Sequence, residues 1–221
     1  MNTRARKQVI WDNVLPQTVT SSTDAASGSP IVVTKAAHGY TTGQLIMIQG
    51  HSTNLAANGI FKINVLSSST FQLLDQFSGA PVAGSGAGAG SGGIMVVAPN
   101  IIWTEEFRTQ DIQFFTSGSA NLTVKVAISS GVQPSLETSA SMDLPHFGAT
   151  ISITNPYSLA DIIALDATNT TIAGATGIVA SGTDLAKTYE VNTNLQKYMT
   201  LLLTAWSAGR ITAIANVTNQ Q

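Results

Sequence analysis

Cysteine is missing from this 221-residue chain, and charge is scarce. The first absence excludes disulfides, thiolate metal ligands and a cysteine nucleophile. Charged residues make up 10% of the chain, against about 25% in an average soluble protein, which argues against long salt-bridged helices and charge-driven disorder. No apolar run approaches the roughly 18 residues that a membrane-spanning helix needs. The basic start, Arg4, Arg6 and Lys7, has no apolar run of about 7–15 residues behind it, so a secretory signal is not expected. Histidine is also rare: His38, His51 and His146 fall at no metal-ligand spacing. Gly-x-Ser-x-Gly, a Walker loop and His-Glu-x-x-His are all absent. These absences predict no enzyme, no metal and no cofactor.

What fills the chain instead is 43% hydrophobic residues, with Ser, Thr, Asn, Gly and Ala between them. That composition suits a β-rich protein whose faces are covered by neighbouring subunits. The length allows one large or two small domains. The net charge of −2 is unevenly spread: the first ten residues carry +3 and the remainder −5. Residues 1–20 read as an extended arm, its basic end followed by the apolar anchors Val9, Ile10, Trp11, Val14 and Leu15. A solvated tail rarely carries such anchors, so the arm is expected to dock, on its own body or on a neighbour. Arg4, Arg6, Lys7 and Trp11 are the expected partner contacts. Three cations would neutralise only about three phosphates, so nucleic acid is not expected as a partner. An acidic protein surface, or plain solubilisation, remains for the basic groups.

Beyond the arm the signals are strand signals. Ile31–Thr34 and Leu45–Ile48 are short apolar runs, and Phe61, Ile63 and Val65 alternate with Lys62 and Asn64, the period of a strand with one buried face. Ser67-Ser68-Ser69 then predicts a turn before Phe71 and Leu73, and Ile94–Val97 closes the set. A Gly/Ala/Ser-rich segment, 84–93, reads as a flexible linker or wide turn. It opens no helix and ends in no Lys-Ser/Thr, so it lacks the makings of a phosphate cradle. From residue 99 onward, runs at 112–115, 122–128, 149–153, 162–165, 188–191, 198–206 and 210–217 are separated by turn signals, among them Ser117-Gly118 and Ala208-Gly209. Turns at this spacing predict a sandwich or jelly roll, with 198–206 and 210–217 as a hairpin. The expected organisation is an arm (1–20), a small β-barrel module (21–98) and a β-sandwich domain (99–221), all β.

Two clusters invite chemical readings. Glu105, Glu106 and Asp111 could in principle flank a glycosidic bond, but Arg108 lies among them and a self-paired surface is the stronger expectation. Trp103, Trp206, Tyr157, Tyr189 and Tyr198 could stack sugars, although most are expected in the core or at a subunit interface.

The segment His38-Gly39-Tyr40-Thr41-Thr42-Gly43-Gln44-Leu45-Ile46-Met47-Ile48, followed by Asn58-Gly59-Ile60-Phe61 and Ser69-Thr70-Phe71-Gln72-Leu73 and then the Gly-rich stretch, resembles a known module. It is similar to the small β-barrel named after the first catalytic-cysteine half-domain of ubiquitin-activating enzymes, here at residues 31–97. In bacteriophages this module recurs as an accessory domain of virion proteins. The resemblance implies a phage structural protein, a capsid decoration or a tail- or neck-associated subunit. It would be synthesised in the host cytoplasm, would contact capsid or tail subunits and would form a homo-oligomer away from any membrane. Nothing catalytic follows from the namesake. The alternative expectation is a tail adsorption protein whose C-terminal domain binds host glycans.

Overall fold

A computed structural model describes residues 5–23, 29–84, 88–104, 109–129, 139–144, 149–154, 158–182, 185–193 and 196–218. The strands in chain order are β1 (Ala5–Val14), β2 (Gln17–Thr18), β3 (Ser21–Ser22), β4 (Val32–Thr34), β5 (Leu45–Gln49), β6 (Gly59–Ser67), β7 (Thr70–Asp75) and β8 (Ile94–Val97). They continue as β9 (Ile102–Trp103), β10 (Thr109–Ser129), β11 (Ser139–Leu144), β12 (Ala149–Thr154), β13 (Ser158–Leu159) and β14 (Ile162–Ala164). The last four are β15 (Thr171–Ile172), β16 (Ile178–Gly182), β17 (Ala186–Asn192) and β18 (Tyr198–Thr218). Among the described residues the only helical turn is Leu55–Ala57. The chain is all β, and its contacts divide it into Val14–Ala98 and a second unit made of Met1–Asn13 with Pro99–Gln221.

The first unit is a strongly curled, antiparallel half-barrel of seven strands, in the order β2-β8-β5-β6-β7-β4-β3. Alternation decides which side chains it encloses: Phe61 and Ile63 of β6 and Phe71 and Leu73 of β7 point inward. They meet Val33, Ile46, Ile48 and Met95 from the neighbouring strands in one buried cluster. Ser67 pairs with Thr70 across a two-residue turn, so the hairpin expected at Ser67-Ser68-Ser69 is present.

The second unit is a nine-stranded antiparallel sheet with the path β1-β18-β10-β17-β14-β15, in which β13 and β16 also pair with β10, and β9 with β18. β11 and β12 form a separate two-stranded pair. Its spine is the pairing of β10 with β18, each 21 residues long. Two sequence expectations are corrected here. Ser117-Gly118 and Ala208-Gly209 do not reverse the chain, and 198–206 and 210–217 are not a hairpin. Both signals lie inside continuous strands and face one another, at the place where the register shifts between Ser117↔Arg210 and Asn121↔Ala208. Gly209 has φ +93°, and a Cβ there would sit 2.8 Å from the Ala120 Cα. The glycine therefore serves a bulge that bends the ribbon. Trp206 ties it by donating its indole N–H to the Gly209 carbonyl at 2.9 Å.

β1, read from sequence as part of an arm, is an edge strand of this sheet and lies beside β18. Arg210 Nη1 donates to the Asn13 carbonyl at 2.9 Å, and the Asn13 amide donates to Thr212 Oγ1 at 3.0 Å. On the other side, Asn100 donates its amide to the Ile10 carbonyl and its side-chain nitrogen to the Val9 carbonyl.

Candidate functional site

Each submotif behind the resemblance has a geometric task in the half-barrel. His38 is buried, accepts the Tyr40 amide on Nδ1 at 3.0 Å and meets the Ser67 carbonyl through Nε2, also at 3.0 Å. A carbonyl only accepts, so the proton sits on Nε2. The ring stacks on Tyr40 and meets the edge of Phe71. Gly43 donates to the Ile63 carbonyl, and Thr42 Oγ1 receives the Val65 amide. Asn58 clamps His51 from both sides, its Oδ1 accepting the His51 amide and its Nδ2 donating to the His51 carbonyl.

A second buried histidine network joins residues that no motif links. Ser22 Oγ lies 2.8 Å from His51 Nε2, His51 Nδ1 lies 2.6 Å from the Gly92 carbonyl, and Asn54 Nδ2 donates to Ser22 Oγ at 3.1 Å. The Gly92 carbonyl fixes the proton on Nδ1, so Ser22 donates its hydroxyl to Nε2. Taken alone this is the polarity of an activated serine. Yet Ser22 and His51 are 1% and 2% exposed, and the glycine-rich segment lies against them. A Cβ on Gly90 would come within 2.4 Å of His51 Nε2. The described part of that segment is pinned: Ser22 donates to the Gly90 carbonyl, Val19 to Gly93 and Ser52 to Ser91. The linker expectation is corrected accordingly, because Gly88–Gly93 is an integral layer of the half-barrel. Residues 85–87 lie outside the described residues.

The expected partner contacts scatter. Arg4 lies outside the described residues, as does the side chain of Arg6, while Lys7 is exposed on β1. Trp11 is 2% exposed, so its indole is buried within the chain itself. Of the carboxylate cluster, Glu105, Glu106 and Arg108 lie outside the described residues, and Asp111 is half-buried on β10, where desolvation raises its pKa. Among the aromatics, Tyr189 is buried, Trp206 ties the bulge, and Trp103 stands half-exposed with its ring edge-on to Tyr198. Tyr157 and His146 lie outside the described residues. Among those described, no three His, Cys, Asp or Glu side chains gather where they could hold a metal.

Two surface features were not singled out by the sequence reading. The first is the turn after β7. Asp75 Oδ1 accepts the amides of Phe77 and Ser78 and the Ser78 hydroxyl, at 3.1, 2.7 and 2.8 Å. The Gly79 amide closes on the Asp75 carbonyl at 2.9 Å. The backbone bond from Ser78, with the other donors behind it, holds the Asp75 carboxyl below the ordinary aspartate range. This braced turn leaves Phe77 80% exposed. The second is a cleft on the nine-stranded sheet, floored by β10 and β17 and edged by the turn after β14.

Compared with protein-family models, curated proteins and solved structures, the chain matches none.

Proposed function

We propose that the chain is a non-enzymatic structural subunit of a bacteriophage virion, a capsid decoration or a tail- or neck-associated protein that acts through subunit contacts. The observation that carries the contact role is the Phe77 turn. A phenyl ring in water gains nothing for the isolated fold, yet three hydrogen bonds to one carboxylate oxygen fix the backbone that presents it. A rigid aromatic held in advance of its partner is the kind of anchor that dominates protein interfaces, since little freedom is lost on docking. The virion setting comes from the ordered submotifs of residues 38–73. The side chains of His38, Thr42 and Asn58 are committed to internal bonds, which supports a structural rather than a catalytic module. Repetition over a particle would strengthen contacts that are weak singly.

Two measurements test the reading. Mass spectrometry of purified particles from the phage encoding the chain should find it at a fixed stoichiometry, and its absence would overturn the virion setting. Particles lacking the protein should bind the wild type and take up Phe77→Ala at least tenfold more weakly. Equal uptake would remove Phe77 as the anchor.

A further inference from the structure

The cleft on the nine-stranded sheet has Phe115 in its lining, and Phe115 lies on the face that strand alternation turns outward. Ile112, Phe114 and Thr116 of β10 are buried, as are Ile211, Ala213 and Ala215 of the paired β18. The residues between them share the opposite face. At one end of that face Asp111 pairs with Glu190 of β17, and at the other, six residues along β10, Ser117 pairs with Arg210 of β18. Phe115 and Ile214 stand between these ends. Leu165 follows at the edge, its amide donating to the Thr188 carbonyl at 2.9 Å.

This face suits water poorly. Phe115 and Leu165 are 38% and 44% exposed and Ile214 is half-buried, although the solvent side of an antiparallel sheet is ordinarily polar. Asp111 and Glu190 set like charges directly opposite one another, which destabilises a sheet. Among the described residues neither carboxylate meets a cation, and partial desolvation raises the Asp111 pKa. Arg210 meets no carboxylate there either; its bond is to the Asn13 carbonyl.

Acid without a cation at one end and a cation without an acid at the other make the face complementary to itself. A second copy turned end for end lays its Arg210 against Asp111 of the first and receives the first copy's Arg210 beside its own Asp111. The apolar middles then meet, each phenyl ring over the other copy's Gln113. A two-fold axis within the contact, running across the strands, produces this arrangement. An axis running along the strands would stack the carboxylates on one another instead.

We propose that this face joins two copies of the chain, their strands antiparallel, with Arg210 of each seated on Asp111 of the other. It goes beyond the Phe77 contact and does not rest on the virion setting, which particle mass spectrometry tests separately. A four-strand face seven residues long covers about 440 Å², near half of the roughly 800 Å² per partner of a standard interface. The dimer is therefore weak and forms near millimolar protein.

The test is sedimentation equilibrium of the full-length chain from 10 μM to 1 mM. The wild type should pass from monomer towards dimer in this range, and Phe115→Ala should weaken the dimer at least tenfold. Arg210→Glu and Asp111→Arg should each stay monomeric. Their equimolar mixture should dimerise at least as well as the wild type, because both contacts then join opposite charges again. Circular dichroism and melting establish that each variant is folded. Arg210→Glu gives up its bond to Asn13, so Phe115→Ala and Asp111→Arg carry the test by themselves if it fails to fold. A wild type that stays monomeric at 1 mM would overturn the proposal. So would a dimer undiminished in folded Phe115→Ala or Asp111→Arg, or folded charge-reversed variants that do not pair when mixed. A dimer lost only in Phe77→Ala would move the contact to that turn and overturn it as well.

Discussion

Ser22 Oγ lies 2.8 Å from His51 Nε2, across 29 residues of sequence, with both side chains sealed from solvent. The pair joins strand β3 to the turn after β5, and its other neighbours, Asn54 and the Gly92 carbonyl, extend the chain of bonds in one direction. Removing the hydroxyl by Ser22→Ala leaves His51 Nε2 and one Asn54 donor buried without a partner. The expected loss is about 2–3 kcal/mol of unfolding free energy, the usual cost of orphaning buried polar groups, read as a shift of the urea midpoint. A loss under 0.5 kcal/mol, on the same order-of-magnitude scale, would show the network to be dispensable.

Gly90 tests the layer that covers this pair. An alanine methyl there would stand 2.4 Å from both His51 Nε2 and the Ser52 carbonyl oxygen, and the latter is backbone that cannot swing away. Gly90→Ala should cost about 1–3 kcal/mol or more by overpacking, whereas exposed Gly92, whose Cβ would meet nothing within 4 Å, should show only the smaller penalty of its positive φ. Equal thermal stability of Gly90→Ala and wild type would contradict the close approach.

Trp11 separates an edge strand from a detachable arm. Truncating a buried tryptophan costs about 3–5 kcal/mol, so Trp11→Ala should lower the melting temperature of the protein. Deleting residues 1–15 should do the same by removing β1. If the deletion left melting unchanged, β1 would not be part of the sheet's cooperative unit.

Tyr40 points the other way. Its ring packs between His38 and Phe71, but its hydroxyl is buried without a hydrogen-bond partner, and desolvation pushes the phenol pKa far upward. Tyr40→Phe keeps the ring and removes the orphan, so stability should hold or rise by up to about 1–2 kcal/mol. A drop larger than about 1 kcal/mol would mean that the hydroxyl is satisfied in solution.

For Asp75 the sign follows from its lowered pKa. The folded state binds the proton less readily than the unfolded chain, so the ionised group stabilises the fold above the ordinary aspartate pKa. That contribution disappears as pH falls through the folded value. Asp75→Asn keeps an acceptor and drops the charge. The wild type should exceed it by less than about 1 kcal/mol at pH 7, given solvent screening of this exposed turn, and the gap should close by pH 2–3. A gap that widened on acidification would contradict the assignment.

The half-barrel was largely legible in the sequence because its central hairpin strands bury one face and β5 is a short apolar run buried on both. The alternation of Phe61, Ile63 and Val65, and of Phe71 and Leu73, marks β6 and β7, and the run Leu45–Ile48 differs from β5 by one residue. The bulges were misread for a physical reason. A polar residue beside glycine signals a departure from regular strand geometry, whether the chain then reverses or merely bends. What decides for Ser117-Gly118 is the pairing of Ser117 with Arg210, more than ninety positions away, and the register shift that follows it. The Ser22–His51 pair and the Phe115 cleft are likewise products of pairing over distance. The Asp75 turn could have been suspected from Asp-x-x-Ser-Gly, but not the exposure of the ring it carries.

The length of the β10–β18 pairing has a mechanical consequence. At about 3.3 Å per residue, each strand has a contour of about 70 Å, and sixteen residue pairs tie the two together. A pull along their common axis loads those pairs side by side, in shear, so many must fail at once. A pull across the axis opens them one after another. The nine-stranded sheet is therefore a directional element, stiff to tension along β10 and β18 and weak to peeling at the end where β18 stops.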